Sequence, residues 1–369
     1  MDFIIKLGKG VLSIIYDILK LFKTKNKVVF FSRQSDDISI DYQMIQKKLK
    51  EVDDNVKVVS ICKRFQNKSD GTFAFAIVLL KSLYHMATAK VCVLDGYWPT
   101  ACFLKHKPEL KIIQIWHSIG KIKKSGYQTL DTEYGRSSKM AKLLCMHKNY
   151  DYIITGGNAW EEYYCASFGV KKDVLRDYGL PRVDYLIENK EYNKERFFEK
   201  YDELKNREIV LYVPTFRKNE KTKWESLAKI FVNNPKYVFV CKLHPNEKIT
   251  EKIKGVYTCD EFSSMEIIAA ADYVITDYSS LALEAASLDK AIYYYVYDID
   301  DYSKKNGLNV NIKEMMPKYA FEDPEKLYDS IANETYDYEA LKEFKRKYLP
   351  VELGKSTENI VKLIEENLC

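Results

Sequence analysis

Paired cysteines, long apolar runs and a strong excess of either charge are all missing from this chain. Its eight cysteines are scattered, and no two of them form a C-x-x-C pair. A zinc knuckle and a disulfide framework both need a recognisable cysteine pattern, so neither is expected. Unpaired thiols are typical of a reducing cytoplasm, where we expect the protein to reside.

Charge and length narrow the classes of protein further. The formal net charge is +5 over 369 residues, well below the excess typical of a dedicated nucleic-acid-binding protein. We therefore expect no nucleic-acid partner. The 46% hydrophobic content and the length predict a globular protein with two domains.

Residues 1–27 lack both the cleavage site of a signal peptide and the apolar run of a transmembrane helix. Apolar residues recur there at helical spacing and lysines interrupt them, which predicts an amphipathic helix. Such a helix either lies on a membrane or packs on its own domain. The lysines at 20, 23, 25 and 27 favour an anionic membrane surface, and so a peripheral position on the cytoplasmic face of the membrane.

The rest of the chain alternates strand-like and helix-like segments, which predicts an α/β fold with two Rossmann-like domains. The predicted domains span 28–190 and 208–355, with a linker or interdomain helix at 191–207 and a C-terminal helix at 356–369. The predicted strands are Val28–Ser32, Val56–Ile61, Val91–Leu94, Lys111–Ile115, Tyr152–Thr155, Ile209–Val213, Tyr237–Lys242, Tyr273–Thr276 and Ala291–Tyr295. The main predicted helices are Asp41–Glu51, Thr72–Ala89, Asn158–Phe168, Trp224–Val232, Ser264–Ala271, Ser280–Ser287 and Tyr338–Tyr348.

The segment Tyr273-Val-Ile-Thr-Asp-Tyr-Ser-Ser280 is the most informative about function. It predicts a strand that ends in a hydroxyl-rich corner, followed at once by a helix that Ser279 or Ser280 caps. Amide groups at a helix start, together with hydroxyls, can hold a phosphate or pyrophosphate without a metal. Thr276 and Asp277 belong to this corner, and Glu284 one turn later could bind a ribose diol. The alternative is an ordinary capped helix.

Two of the five histidines follow predicted strands, where ligands of open α/β sheets collect. His117 ends Ile112-Ile-Gln-Ile-Trp-His117 and precedes Gly120 and several lysines, of which Lys121 comes first. His244 follows Lys242 and precedes Pro245, which stops the strand. A histidine beside cations suggests a proton acceptor for an anionic substrate, and two on different domains predict one shared cleft. For His117, a histidine satisfied by backbone in a tight turn is the alternative.

A third strand exit, Leu211-Tyr-Val-Pro-Thr-Phe-Arg217, offers Thr215 and a guanidinium that could grip phosphate oxygens. Arg217 as a simple surface charge is the alternative. Asp298-Ile-Asp300 has the D-x-D spacing of some metal sites, but short acidic patterns are common among 53 carboxylates. We expect neither a metal nor another cofactor.

As a set, these motifs resemble the CDP-glycerol glycerophosphotransferase family of teichoic acid synthesis. The resemblance spans about residues 110–300 and is carried by five motifs: Trp116-His117 with its lysines, Gly179-Leu-Pro-Arg-Val-Asp184, Pro214-Thr-Phe-Arg217, His244-Pro245, and Thr276-Asp-Tyr-Ser-Ser280 with Glu284. Where the family usually has His-Gly-Thr, this chain has His117-Ser-Ile-Gly120. The resemblance implies a glycosyltransferase-B-like pair of domains, with the cytidine nucleotide held by the C-terminal one.

The implied reaction transfers a polyol phosphate from a CDP-polyol to a hydroxyl of an undecaprenyl-diphosphate-linked acceptor and releases CMP. His117 would deprotonate or orient the hydroxyl, and His244, Lys242 and Arg217 would stabilise the donor phosphates. Ser279 and Ser280 would hold the pyrophosphate and Glu284 the ribose, while Asp277 would shape the corner.

Glycerol and ribitol are both open as the polyol. Two further functions also stay open. A glycosyltransferase that uses a sugar nucleotide would have the same two domains and a similar diphosphate site. A non-catalytic module would bind the nucleotide or the lipid-linked glycan and release no CMP.

Overall fold

The computed structural model describes residues 2–64, 72–217, 222–244, 247, 253–333 and 335–368, with backbone alone at 72–75. The first half contains α1 (Asp2–Leu19), β1 (Lys27–Ser32), α2 (Ile40–Val52), β2 (Lys57–Cys62), α3 (Thr72–Ala87), β3 (Val91–Leu94), α4 (Pro99–Phe103), β4 (Lys111–Gln114), α5 (Ser138–Leu143), β5 (Tyr152–Ile154), α6 (Glu161–Phe168), β6 (Leu175–Arg176) and α7 (Pro181–Glu188).

The second half contains α8 (Lys190–Lys200), β7 (Glu208–Tyr212), α9 (Trp224–Phe231), β8 (Tyr237–Cys241), β9 (Val256–Tyr257), α10 (Ser264–Ala270), β10 (Tyr273–Thr276), α11 (Leu281–Ser287), β11 (Ala291–Tyr295), α12 (Ile299–Asn306), α13 (Ile312–Met315), β12 (Ala320–Phe321), α14 (Pro324–Asn333), α15 (Tyr338–Tyr348) and α16 (Ser356–Glu366).

These strands form two parallel sheets, which confirms the predicted α/β class. The first sheet has the order β2-β1-β3-β4-β5-β6 and the second the order β12-β11-β10-β7-β8-β9. The central strands are largely apolar and buried on both faces, because helices cover both sides of a parallel sheet. All nine predicted strands are present with ends shifted by one residue at most. The three strands that were missed, β6, β9 and β12, have two residues each.

The chain divides into two compact units whose boundaries differ from the predicted domains. The first unit comprises residues 1–118, 125–184 and 354–369, and the second comprises 119–124 and 185–353. The predicted linker 191–207 therefore belongs to the second unit, where Arg196 of α8 pairs with Glu266 of α10. The C-terminal helix belongs to the first unit and not to the domain that it follows in sequence.

The motif Gly179-Leu-Pro-Arg-Val-Asp184 joins distant segments of the first unit through its two charged residues. The buried Asp184 carboxylate accepts backbone N–H groups of Ser356 and Thr357 at 3.2 and 2.6 Å, and so caps α16 from a distant part of the chain. Arg182 forms an ion pair with the buried Asp41 of α2. Both charged residues of the motif are thus used in packing.

The amino-terminal helix α1 presents apolar residues in two directions. Tyr16 is buried and its hydroxyl lies 2.8 Å from His106 Nδ1, while Ile5, Leu12 and Leu19 are partly covered. A second set of large apolar side chains is exposed on α1 and directly after it: Phe3, Ile4, Leu7, Val11, Ile14, Ile18, Leu21 and Phe22. Within the described ranges, no helix is both long enough and apolar enough to cross a bilayer.

Candidate functional site

The first group of candidate residues lies at the carboxyl end of the first sheet. Strand β4 ends at Gln114, whose side-chain oxygen accepts the Trp116 N–H at 2.9 Å. Trp116 has φ of 61°, a backbone conformation that is costly for a bulky residue and concentrates at functional sites. The His117 ring packs against the Trp116 ring with centroids 4.2 Å apart. The turn after β4 therefore fixes the position of the imidazole.

Hydrogen bonding assigns the His117 tautomer. His117 Nδ1 lies 2.8 Å from the Asp95 carbonyl oxygen, which can only accept, so Nδ1 carries the proton. Gln34 Nε2 lies farther from Nδ1, at 3.3 Å, so the shorter contact with the carbonyl decides the tautomer. A backbone carbonyl thus satisfies Nδ1, as the alternative interpretation of His117 as a histidine bonded to backbone in a turn supposes. The same hydrogen bond leaves Nε2 as the nitrogen that can accept a proton.

Asp95 is a buried carboxylate beside this histidine that the sequence analysis missed. It follows β3 in Leu94-Asp95-Gly96, so its place at a strand exit was the available signal. The side chain is only 3% exposed, and its Oδ1 has no hydrogen-bond partner among the described residues. Burial raises the pKa of Asp95 to about 7, and the nearby Asp41 adds to the shift, while a hydrogen bond with Ser32 opposes it.

This raised pKa predicts a specific pH dependence of stability. Below about pH 4 the carboxyl is protonated in both states. As pH rises towards 7 the unfolded state ionises first, so stability is lost until the folded pKa is passed. Asp95→Asn should remove that loss, which we expect to be about 2–4 kcal/mol between pH 4.5 and 8. Urea unfolding of both proteins at the two pH values measures it, and identical pH dependence would refute the assignment.

Lys121 and its neighbours belong to the second unit, and the Lys121 side chain is buried. The segment 119–124 belongs to the second unit, while His117 belongs to the first. Asn309 Nδ2 donates to the Lys121 carbonyl at 2.8 Å, and Lys123 forms a bridge with Leu308. The Lys121 side chain is buried, and this burial lowers its pKa well below the usual range. The proximity of these lysines to His117 stays a prediction.

The second group lies at the carboxyl end of the second sheet, where Asp277 organises the corner after β10. Its fully buried carboxylate accepts the N–H of Thr215 at 2.8 Å and the N–H of Tyr278 at 2.6 Å. These bonds join the exits of β7 and β10. The predicted role of Asp277 in shaping the corner fits this geometry.

Arg217 is buried between two carboxylates, so the alternative that it is a surface charge is wrong. Nε and Nη2 donate to Asp298 at 2.7 and 3.0 Å, and Nη1 donates to Asp277 and the Thr215 carbonyl, each at 2.8 Å. Burial opposes the charged form, but Asp298 and Asp277 hold the pKa of Arg217 above its usual value. Four of the five guanidinium donors are thus used by the protein. A direct contact of Arg217 with phosphate stays a prediction, and one Nη2 donor is left for it.

Some hydroxyls of the corner form hydrogen bonds with the protein and others do not. Thr276 Oγ1 donates to the Val213 carbonyl at 2.7 Å, which ties β10 to the chain after β7. Ser279 Oγ accepts the Leu281 N–H at 3.3 Å, whereas Ser280 makes no side-chain cap. Thr215 Oγ1 is buried without a hydrogen-bond partner in the described part of the chain. Of the two predicted caps, Ser279 is therefore the one that binds the helix start.

The amides of this corner favour an anion site. Within the described residues, the backbone N–H groups of Ser279 and Ser280 donate to no protein acceptor, and both residues are half-buried. Glu284 is on α11 and only 4% exposed. Two adjacent amides at a helix start form a local site for phosphate oxygens.

His244 and Lys242 follow β8, as predicted. The His244 ring packs against Phe216 with centroids 5.1 Å apart, and the residue is half-buried. Lys242 Nζ donates to the Cys259 carbonyl at 3.2 Å and lies 3.9 Å from Asp260. Pro245, the remaining candidate, lies outside the described residues.

The acidic pair Asp298-Ile-Asp300 is divided between two environments. Asp298 binds Arg217 and accepts the Tyr278 hydroxyl at 2.9 Å, whereas Asp300 is exposed. Among the described residues, no three His, Cys, Asp or Glu side chains are grouped so that they could hold a metal ion. The role of Asp298 as the partner of Arg217 was missed, because 81 residues separate the two in sequence.

Comparisons with known proteins agree on one family. A family model described as CDP-Glycerol:Poly(glycerophosphate) glycerophosphotransferase matches residues 15–366. The teichoic acid ribitol-phosphate primase of Bacillus spizizenii is 29% identical over 99% of this chain and 98% of its own length. The teichoic acid glycerol-phosphate primase of Bacillus subtilis is 30% identical over 78% of this chain and 77% of its own.

Solved structures show the same fold. The wall teichoic acid polymerase TagF superposes with a TM-score of 0.76 at 18% identity, covering 100% of this chain and 97% of that one. A complex of Staphylococcus aureus MnaA with UDP gives a TM-score of 0.61 at 13% identity, covering 94% and 98%. At such identities the likeness concerns the fold alone.

Proposed function

Because the chain belongs to the CDP-glycerol:poly(glycerophosphate) glycerophosphotransferase family, we propose that it transfers glycerol phosphate, or ribitol phosphate, from the CDP-polyol to a lipid-linked acceptor. The family and the primases named above are polyol phosphate transferases of teichoic acid synthesis. The observation that carries the proposal is the corner at 277–280, where two amides without protein acceptors adjoin a helix start.

In the donor half of the reaction, this corner would bind the pyrophosphate of the CDP-polyol. Ser279 and Ser280 would contribute amides and the Ser280 hydroxyl, and the unpartnered Thr215 hydroxyl is a further donor. Lys242 and His244 would neutralise charge on the phosphates and on the departing CMP. Glu284 would bind the ribose. Arg217 would act indirectly, by holding Asp277 and thereby the two strand exits.

In the acceptor half, His117 Nε2 would take the proton of the attacking hydroxyl. The hydroxyl oxygen forms a bond to the polyol-bearing phosphorus, the bond from that phosphorus to the CMP oxygen breaks, and CMP leaves with the electron pair. The Nδ1 bond to the Asp95 carbonyl supports this role, because it keeps the basic lone pair on Nε2.

Membrane association would bring the enzyme to a lipid-linked acceptor. The exposed apolar residues of α1 and nearby lysines such as Lys6 and Lys23 support peripheral binding to an anionic bilayer on its cytoplasmic face. Val11→Asp combined with Ile14→Asp should then abolish flotation with anionic vesicles. Flotation equal to that of the parent protein would remove the proposal.

The function is tested by CMP release from CDP-glycerol and CDP-ribitol with a lipid-linked disaccharide acceptor, in the presence of EDTA. Acceptor-dependent release would name the donor and show that no metal is needed. Release of UDP from a UDP-sugar, with neither CDP-polyol used, would establish the glycosyltransferase instead. Tight CDP-glycerol binding without turnover across acceptors would indicate a binding module.

A further inference from the structure

The first unit contains an apolar cavity that the catalytic proposal does not use. It has a volume of about 280 Å³ and lies between α1, α3 and α4. That volume is close to the lower end of the roughly 300–1,000 Å³ typical of small-molecule pockets. Its apolar lining comprises Ile5, Leu12, Leu79, Trp98, Phe103 and Leu144. A hydrocarbon chain suits such walls, because they offer few groups that could bind a polar ligand.

Cations without carboxylate partners lie at this cavity. Lys9 and Arg33 both line it. Lys9 donates to the Leu143 carbonyl and lies over the Phe103 ring, and Arg33 is half-buried. Burial lowers the pKa of Arg33, and the charge of Arg136 lowers it further. In the described part of the chain neither Lys9 nor Arg33 forms an ion pair, so an anion beside Arg33 would offset a charge that burial and Arg136 disfavour.

The cavity adjoins the acceptor half of the proposed site. Gln34, the next residue after Arg33, contacts His117 Nδ1 at 3.3 Å. The ring of Trp98, which lines the cavity, packs on Phe31 of β1 with centroids 4.9 Å apart. The opposite wall is α1, the helix whose outer residues are exposed and apolar. An amphiphile in the cavity would thus have its chain under α1 and its charged end towards Arg33.

We propose that this cavity binds the hydrocarbon chain of the lipid-linked acceptor and that Arg33, which lines it, binds the adjoining phosphate. This inference rests on the proposed function and extends it to a subsite for the acceptor. A chain held here would leave the glycosyl hydroxyl on the side of His117.

Gly8 gives a sharp test, because it lines the cavity and an added Cβ there would meet no atom within 4 Å. We therefore expect the Gly8→Leu side chain to be accommodated and to occupy part of the cavity. Gly10 has the same open surroundings on the same helix but does not line the cavity, so Gly10→Leu is the matched control. Both changes replace glycine by a better helix former, so neither should unfold α1.

The probe is farnesyl diphosphate below its micellar concentration, measured by calorimetry on the full-length protein. We expect Gly8→Leu to weaken binding at least tenfold and Gly10→Leu to leave it unchanged. Arg33→Gln should weaken the binding of farnesyl diphosphate at least fivefold and leave the binding of farnesol unchanged. Equal binding by the two leucine variants would overturn the chain site, and inorganic diphosphate binding as tightly as farnesyl diphosphate would do the same.

The binding assay contains no CDP-polyol, so it separates this inference from the proposed function. Loss of chain binding in Gly8→Leu, together with absent CMP release from the parent protein, would support the cavity and reject the transferase. CMP release by the parent protein, together with unchanged farnesyl diphosphate binding in Gly8→Leu, would support the transferase and reject the cavity site.

Discussion

Arg217→Met is expected to destabilise the second unit by about 3–5 kcal/mol, the usual cost of removing one partner of a buried ion pair. The change leaves Asp277 and Asp298, whose side chains are 0% and 13% exposed, without their cation. Asp277 also holds the Thr215 and Tyr278 amides, so the corner should lose its shape together with its stability. Urea unfolding followed by circular dichroism measures the effect.

Two further variants make the Arg217 measurement specific. Arg346→Gln, on the exposed surface of α15 in the same unit, should change stability by no more than about 0.5 kcal/mol. Adding Asp298→Asn to Arg217→Met should recover part of the loss, because one uncompensated charge is then removed. If Arg217→Met and Arg346→Gln have the same free energy of unfolding, the Arg217 guanidinium does not stabilise the corner.

His117→Ala is expected to lower the rate of acceptor-dependent CMP release by about 10²–10⁴-fold, the range associated with loss of a general base. The reason is that Nε2 is the basic nitrogen once Nδ1 donates to the Asp95 carbonyl. His244→Ala should lower the rate by about 10²–10³-fold, because it removes charge stabilisation from the donor phosphates.

His85→Gln is the matched control for both histidine variants. His85 lies beside Lys27, the first residue of β1, and so at the amino end of the strand, away from the candidate site. Its replacement should leave CMP release within a factor of two of the parent protein, on the order of experimental scatter. If His117→Ala and His85→Gln retain equal activity, His117 is not the base.

Predicting from sequence succeeded where the pattern is local. Runs such as Val28 to Ser32 are apolar and bounded by polar residues, which is typical of buried strands, and the regular alternation of strands with helices favours parallel pairing. Strand exits follow directly from that pattern, which is why His117, Lys242 and Asp277 were found at carboxyl ends. Asp95 occupies the same kind of position and was missed, because a single carboxylate before glycine is no motif.

Contacts between distant segments decided the rest. The sequence alone determined the α/β class, nine of the strands and the strand exits, since these depend on apolar periodicity and turn residues within about ten positions. Only the tertiary structure decided that Asp184 caps α16 and that Asp298 neutralises Arg217. It also placed an apolar cavity beneath α1. Burial and charge pairing depend on which segments meet in space, and the spacing of residues along the chain does not encode that directly.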